Sequence, residues 1–179
     1  DERLDEMFLV MAEMEGLCSR IAADNMTPAD HEGLLQIHEG SRLAAEADDV
    51  ERYYELNTQF HACIYSGTHN SFLEELTLHV RRRVAPYRRA QFRVNGRLDL
   101  SYREHDAVVQ AILRGDGEGA QQAMNGHLKL VRGAVHDITE PRADPPLERA
   151  RAGISREFPI RRASRERRSS DRRSAHRGR

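Results

Sequence analysis

From residue 2 to residue 138, apolar side chains recur at every third or fourth position in one block after another, and no block alternates apolar with polar residues over the length of a strand. A period near 3.6 buries one face of a helix, whereas a half-buried strand needs a period of 2. The fold expected is therefore all-α: an antiparallel bundle of about six helices, with no sheet.

The punctuation between blocks supports six helices. Residues 2 to 24 carry Leu4, Phe8, Met11, Leu17 and Ile21 as one stripe, ending near Asn25. In "TPAD", Thr27 is placed to cap a second helix and Pro28 to occupy its first turn, and the helix runs to about Ala47. Asp49 caps a third, with Tyr53, Leu56, Phe60 and Ile64 inward. Asn70 caps a long fourth, with Leu73, Leu76, Val80, Val84, Tyr87 and Val94 inward and Pro86 expected to kink or divide it. A fifth spans about Asp99 to Arg114, with Val108, Ile112 and Leu113 inward. Asp116 caps a sixth that reaches about Ile138.

Charge divides the chain at the same point. Residues 1 to 138 hold 15 basic and 23 acidic side chains, net −8, and residues 139 to 179 hold 13 arginines against 6 acids, net +7. The first part is expected to be one helical domain. The second, rich in Arg, Ser and Pro and poor in apolar residues, is expected to be a largely disordered basic tail with at most a short helix near Leu147 to Ile154. The apolar runs are far shorter than the roughly 20 residues that cross a bilayer. The acidic start is no secretory signal, and Cys18 and Cys63 form no CxxC motif, which fits buried thiols in the cytoplasm. A chain that starts at Asp1 rather than Met reads as a fragment or a processed product.

The polar residues within the helices carry the functional signal. His61, His105 and His127 fall on helices three, five and six, each among apolar neighbours ("QFHACI", "REHDAVV", "NGHLKLV"). Each buried imidazole needs partners for two ring nitrogens, and one divalent metal would serve all three. Asn57, one turn before His61, lies on the same face. His31, His38, His69, His79, His136 and His176 are read as caps, exposed residues or tail.

Four segments in order, "AEMEGLCSRIAADNMT", "NTQFHACIYSGTHNSFLEEL", "SYREHDAVVQAILRGD" and "AQQAMNGHL", resemble the effector-binding (FCD) domain of GntR-type transcription regulators of the FadR subfamily. The resemblance covers residues 2 to about 138. It implies a ligand-sensing bundle, not an enzyme, that pairs as a homodimer and controls DNA binding by a winged-helix domain placed before the first helix; residues 1 to 27 are already spent on that helix. It also implies that an Asp and three His bind a divalent cation, and these positions fall here on Asn57, His61, His105 and His127. Asparagine departs from the usual aspartate: a neutral amide oxygen leaves the metal its full charge and favours an anionic ligand. Imidazole and carbonyl donors point to zinc first, with nickel, manganese or iron as alternatives.

A small organic acid is the expected effector, held by Arg81 and Arg88 of helix four through bidentate contacts. Met11 stands where many relatives carry an arginine ahead of the residue matching Glu15, so the carboxylate clamp differs here. The alternative, a metal-dependent hydrolase or lyase built on three histidines, lacks a general base: no HExxH occurs, and Glu104 points about 100° around the helix from His105.

Overall fold

The computed structural model describes residues 2 to 139, in which six α-helices and one short 3₁₀ turn form an all-α bundle: α1 Glu2–Asn25, α2 Pro28–Glu46, α3 Val50–Ser66, α4 Ser71–Ala90, the 3₁₀ turn Gln91–Arg93, α5 Arg97–Leu113 and α6 Gly117–Thr139. The basic segment expected beyond residue 138 lies outside the described residues, except that Thr139 still belongs to α6.

The helix starts are set by local chemistry. Thr27 accepts a hydrogen bond from the Asp30 amide while the Asp30 carboxylate accepts one from the Thr27 amide, closing a capping box with Pro28 at the first helical position. Asp49 receives the Arg52 amide, Asn70 the Leu73 amide and Asp116 the Gly119 amide. The cap of α5 differs in kind. Gly96 precedes α5 at φ +75°, a left-handed conformation glycine adopts without strain, and offers no side chain to the helix.

Packing then brings distant helices together. α1 lies along α6 and against α4, α2 against α3 and α5, and α5 against α6. Phe8, Met11, Cys18, Ala22, Leu34, Phe60, Ile64, Val84, Val108, Ile112, Met124, Leu128 and Val131 make the main core. A smaller cluster of Ala44, Tyr53, Leu56, Phe92 and Leu98 joins α2 and α3 to the 3₁₀ turn and the start of α5.

Two faces differ from the pattern of apolar residues. On α1 the buried line is Met11, Glu15, Cys18 and Ala22, with Leu17 and Ile21 only half-buried. On α4 the buried line is Thr77, Arg81, Val84 and Arg88, while Leu76 and Tyr87 are exposed, and Val94, expected on this helix, lies exposed beyond it after the 3₁₀ turn. Both helices are rotated so that charged groups point inward, because those charges meet each other: Arg81 reaches Glu15. Pro86 does not divide α4. The helix continues four residues to Ala90, forgoing only the bond that a nitrogen at 86 would have donated.

Candidate metal centre

Helix α3 carries the first half of the site. Tyr53, Asn57, His61 and Tyr65 follow one another at intervals of four, so they form a single ridge, and all four are buried. Each has a buried polar atom without a directed hydrogen-bond partner: the Tyr53 and Tyr65 hydroxyls, Asn57 Nδ2 and both ring nitrogens of His61. An unpaired buried polar group costs roughly 1–3 kcal/mol; Ser101 stands near the Tyr53 hydroxyl and Glu15 and Arg81 near that of Tyr65, which leaves Asn57 and His61 as the groups that call for a ligand.

Helices α5 and α6 face this ridge. His105 and His127 are buried, with their Nε2 atoms 3.3 Å apart, and one nitrogen from each of His61, His105 and His127 falls within 4.8 Å of the others. Metal–imidazole bonds of about 2.0–2.1 Å place tetrahedral donors about 3.4 Å from one another. The His105–His127 spacing fits that directly, and the wider separation closes by ring rotation. Donor chemistry, burial and the orphaned nitrogens therefore suit a divalent cation.

Two carboxylates stand behind two of these rings. Glu15 Oε2 lies 2.6 Å from His61 Nδ1, close but bent off the hydrogen-bond line, and Glu15 Oε1 accepts from Arg81 Nη1 at 2.6 Å. Glu104 Oε2 lies 2.6 Å from His127 Nδ1, and Arg97 donates to both Glu104 oxygens at 3.1 and 3.0 Å and to Gln91 at 2.9 Å. The His105 ring instead stacks on Phe60, with centroids 4.1 Å apart, and its Nδ1 has no hydrogen-bond partner among the described residues.

Electrostatics follow from this packing. Burial holds His61 and His105 well below the usual imidazole range, helped by Arg81 at the first and His127 at the second, and burial lowers His127 as well. The three rings are thus neutral near pH 7, the form that binds metal. Burial works to raise Glu15 and Glu104, but Arg81 and His61 at the first, and His127 and Arg97 at the second, outweigh it, so both stay ionised.

Arg88 is the exception to charge balance. It is buried and has no hydrogen bond or ion pair among the described residues, and burial together with the charge of Arg81 lowers its pKa to about 10. Arg81 is already engaged by Glu15, although its Nη2 is unpaired. The two arginines that look alike in the sequence therefore stand in different circumstances.

Sequence reasoning placed Asn57, His61, His105 and His127 on inward faces, and they are all buried. It missed four things: the contact of Glu15 with His61, the contact of Glu104, itself held by Arg97, with His127, the buried hydroxyls of Tyr53 and Tyr65, and the burial of His38. His38 stacks on Tyr102 at 4.5 Å and lies 3.1 Å from Asp106, tying α2 to α5. A signal for Glu15 was present, since Met11, Glu15, Cys18 and Ala22 keep the helical spacing of an inward face.

The FCD domain family model matches residues 6–130. The galactonate operon transcriptional repressor of Escherichia coli strain K12 is 27% identical over 112 residues, 62% of this chain and 48% of the repressor, so the chain spans about half the length of that relative. Among solved structures, E. coli McbR/YncC matches with a TM-score of 0.72 at 20% identity, covering 78% of this chain and 67% of that one. The metal-free FCD domain of TM0439 matches with a TM-score of 0.64 at 23% identity, covering 78% and 96%. At these identities the two structures speak for the fold.

Proposed function

This chain belongs to the FCD domain family of GntR-type transcription regulators, and from that premise we propose that residues 2 to 138 form a ligand sensor in which a divalent metal and a small organic acid bind together inside the bundle. The observation that carries the proposal is the convergence of three buried, neutral histidines, backed by Glu15, with a second buried arginine, Arg88, that feels the charge of Glu15 but makes no hydrogen bond or ion pair among the described residues. His61, His105 and His127 would hold the metal, with the Asn57 amide oxygen, one turn from His61, as a fourth donor. A bound cation supplies Lewis acidity toward carboxylate oxygens, and Arg88 supplies a bidentate partner for the same anion.

Zinc is the first candidate, with nickel, manganese and iron behind it. A kinship with a galactonate operon repressor supports an acid as effector and DNA as the eventual target, reached through a winged-helix domain outside these residues. Exposed Leu9 and Val10 on α1 and Phe72 and Leu76 on α4 support pairing as a homodimer. No described helix is long and apolar enough to cross a membrane, which accords with a regulator that acts on DNA in the cytoplasm.

Elemental mass spectrometry of the purified protein tests the metal first. One metal per chain is expected, lost in His61→Ala and in His105→Ala. Thermal unfolding against a panel of small carboxylates should then give shifts in the metal-loaded protein that Arg88→Met abolishes. A protein that takes up no metal after incubation with zinc, nickel and manganese would overturn the proposal.

A further inference from the structure

The two carboxylates at the metal centre follow one pattern, although they come from different helices, lie 89 positions apart in sequence, and only the Glu104 contact is aligned as a hydrogen bond. In each case an arginine grips a glutamate, and the glutamate faces the Nδ1 of a histidine: Arg81, Glu15 and His61 in one, Arg97, Glu104 and His127 in the other. Glu15 is fully buried and the Glu104 side chain nearly so. Neither glutamate joins the group of donor atoms that the three rings form.

We infer that Glu15 and Glu104 are positioning residues that keep the proton of His61 and His127 on Nδ1, so that both rings offer an Nε2 lone pair to a common metal. An ionised carboxylate can only accept a hydrogen bond, so the nitrogen facing it must carry hydrogen in a neutral imidazole. The opposite nitrogen is then bare. The arginines hold the carboxylates in place and keep them from rotating inward to become ligands themselves.

His105 has no such carboxylate, and its different surroundings dictate the opposite tautomer. Its Nδ1 is unpartnered, and its Nε2 lies 3.3 Å from a His127 Nε2 that is bare if Glu104 holds the other proton. In the metal-free protein His105 therefore carries hydrogen on Nε2 and donates it to His127. For His105 to offer Nε2 to a metal, its hydrogen would have to move to the unpartnered Nδ1 of the same ring, while those on His61 and His127 would stay where they are. The arrangement rests on the metal reading for its purpose, but the tautomers exist without metal. It also assigns Arg81 to the support of His61, and leaves Arg88 as the arginine for an anion.

Two-bond nitrogen–proton correlation spectra of histidine-labelled, metal-free protein give the direct test. Nδ1–H signatures are expected for His61 and His127 and an Nε2–H signature for His105; Nε2–H on either of the first two overturns the inference. Glu104→Gln should then mix the tautomers of His127 alone and weaken zinc, measured by competition with a chromophoric chelator, by tenfold or more. Wild-type tautomer and zinc affinity in that variant would also overturn it. Glu15→Gln should act likewise on His61, and if its removal from Arg81 unfolds the chain, Glu104→Gln and the wild-type spectra still decide. A wild type with the expected tautomers that binds no zinc, nickel or manganese would instead remove the metal proposal and leave the positioning roles standing.

Discussion

Arg88 and the three histidines show how single buried groups trade stability for a site. A guanidinium outside any ion pair is costly to bury, and Arg88 makes none among the described residues, feeling Glu15 only through space. Arg88→Met keeps the volume and removes the charge. It should raise the stability of the metal-free protein by about 1 kcal/mol in urea unfolding while abolishing any thermal response to carboxylates. The histidines predict a pH dependence of definite sign. Their folded-state pKa values lie below the unfolded value near 6.5, so above about pH 6.5 both states are neutral and folding pays nothing. Below it the unfolded chain takes up protons that the folded one refuses. Stability of the metal-free chain should then fall with each pH unit by roughly 1 kcal/mol for every histidine involved. Urea unfolding between pH 7.5 and 5.5 reads this directly, and a flat profile would mean that the rings are not held neutral.

Among the elements, helix boundaries were legible in the sequence where one side chain decides them, and helix faces were not where a distant charge decides them. Thr27, Asp49, Asn70 and Asp116 could be named as caps because each acts on amides three residues away. Thr27→Ala should therefore cost about 1 kcal/mol in urea unfolding. Glycines separate two outcomes in the same assay. Gly96→Ala forces a side chain into φ +75° and should destabilise by about 1 kcal/mol. Gly133→Ala lies within α6 with nothing near its added carbon and should stabilise by roughly 0.5–1 kcal/mol. The inward face of α4 could not be read this way. Counting apolar residues favoured Leu76, Tyr87 and Val94, because nothing local to α4 announces Glu15, which lies 66 positions earlier and pulls Arg81 inside. The same limit hid the site's outer half. His61, His105 and His127 stood out as polar residues in apolar surroundings, whereas Glu15 and Glu104 looked like ordinary helix acids until the fold placed each against a histidine.

For the molecule as a whole, the sum of these charges matters more than any one of them. Glu15 pairs with Arg81 and Glu104 with Arg97, so with neutral histidines the buried charges around the site sum to the single positive charge of Arg88, which lies within electrostatic reach of Glu15. A divalent cation entering that site meets like charge, because Asn57 supplies no negative charge where an aspartate would. An anion that bridges the metal and Arg88 relieves both. Metal and carboxylate should accordingly bind with positive coupling, and linkage requires that each strengthen the other by the same factor. An effector at saturating concentration should tighten zinc binding by about 5- to 150-fold, the usual range for such coupling. Asn57→Asp is the decisive variant. Placing a negative charge beside His61 should tighten zinc binding on its own and shrink the carboxylate's effect, since the site no longer needs an outside anion to balance the metal. Isothermal titration of zinc with and without carboxylate, in wild type and Asn57→Asp, measures all four affinities. Equal coupling in the two proteins would show that charge balance at position 57 does not link metal to effector.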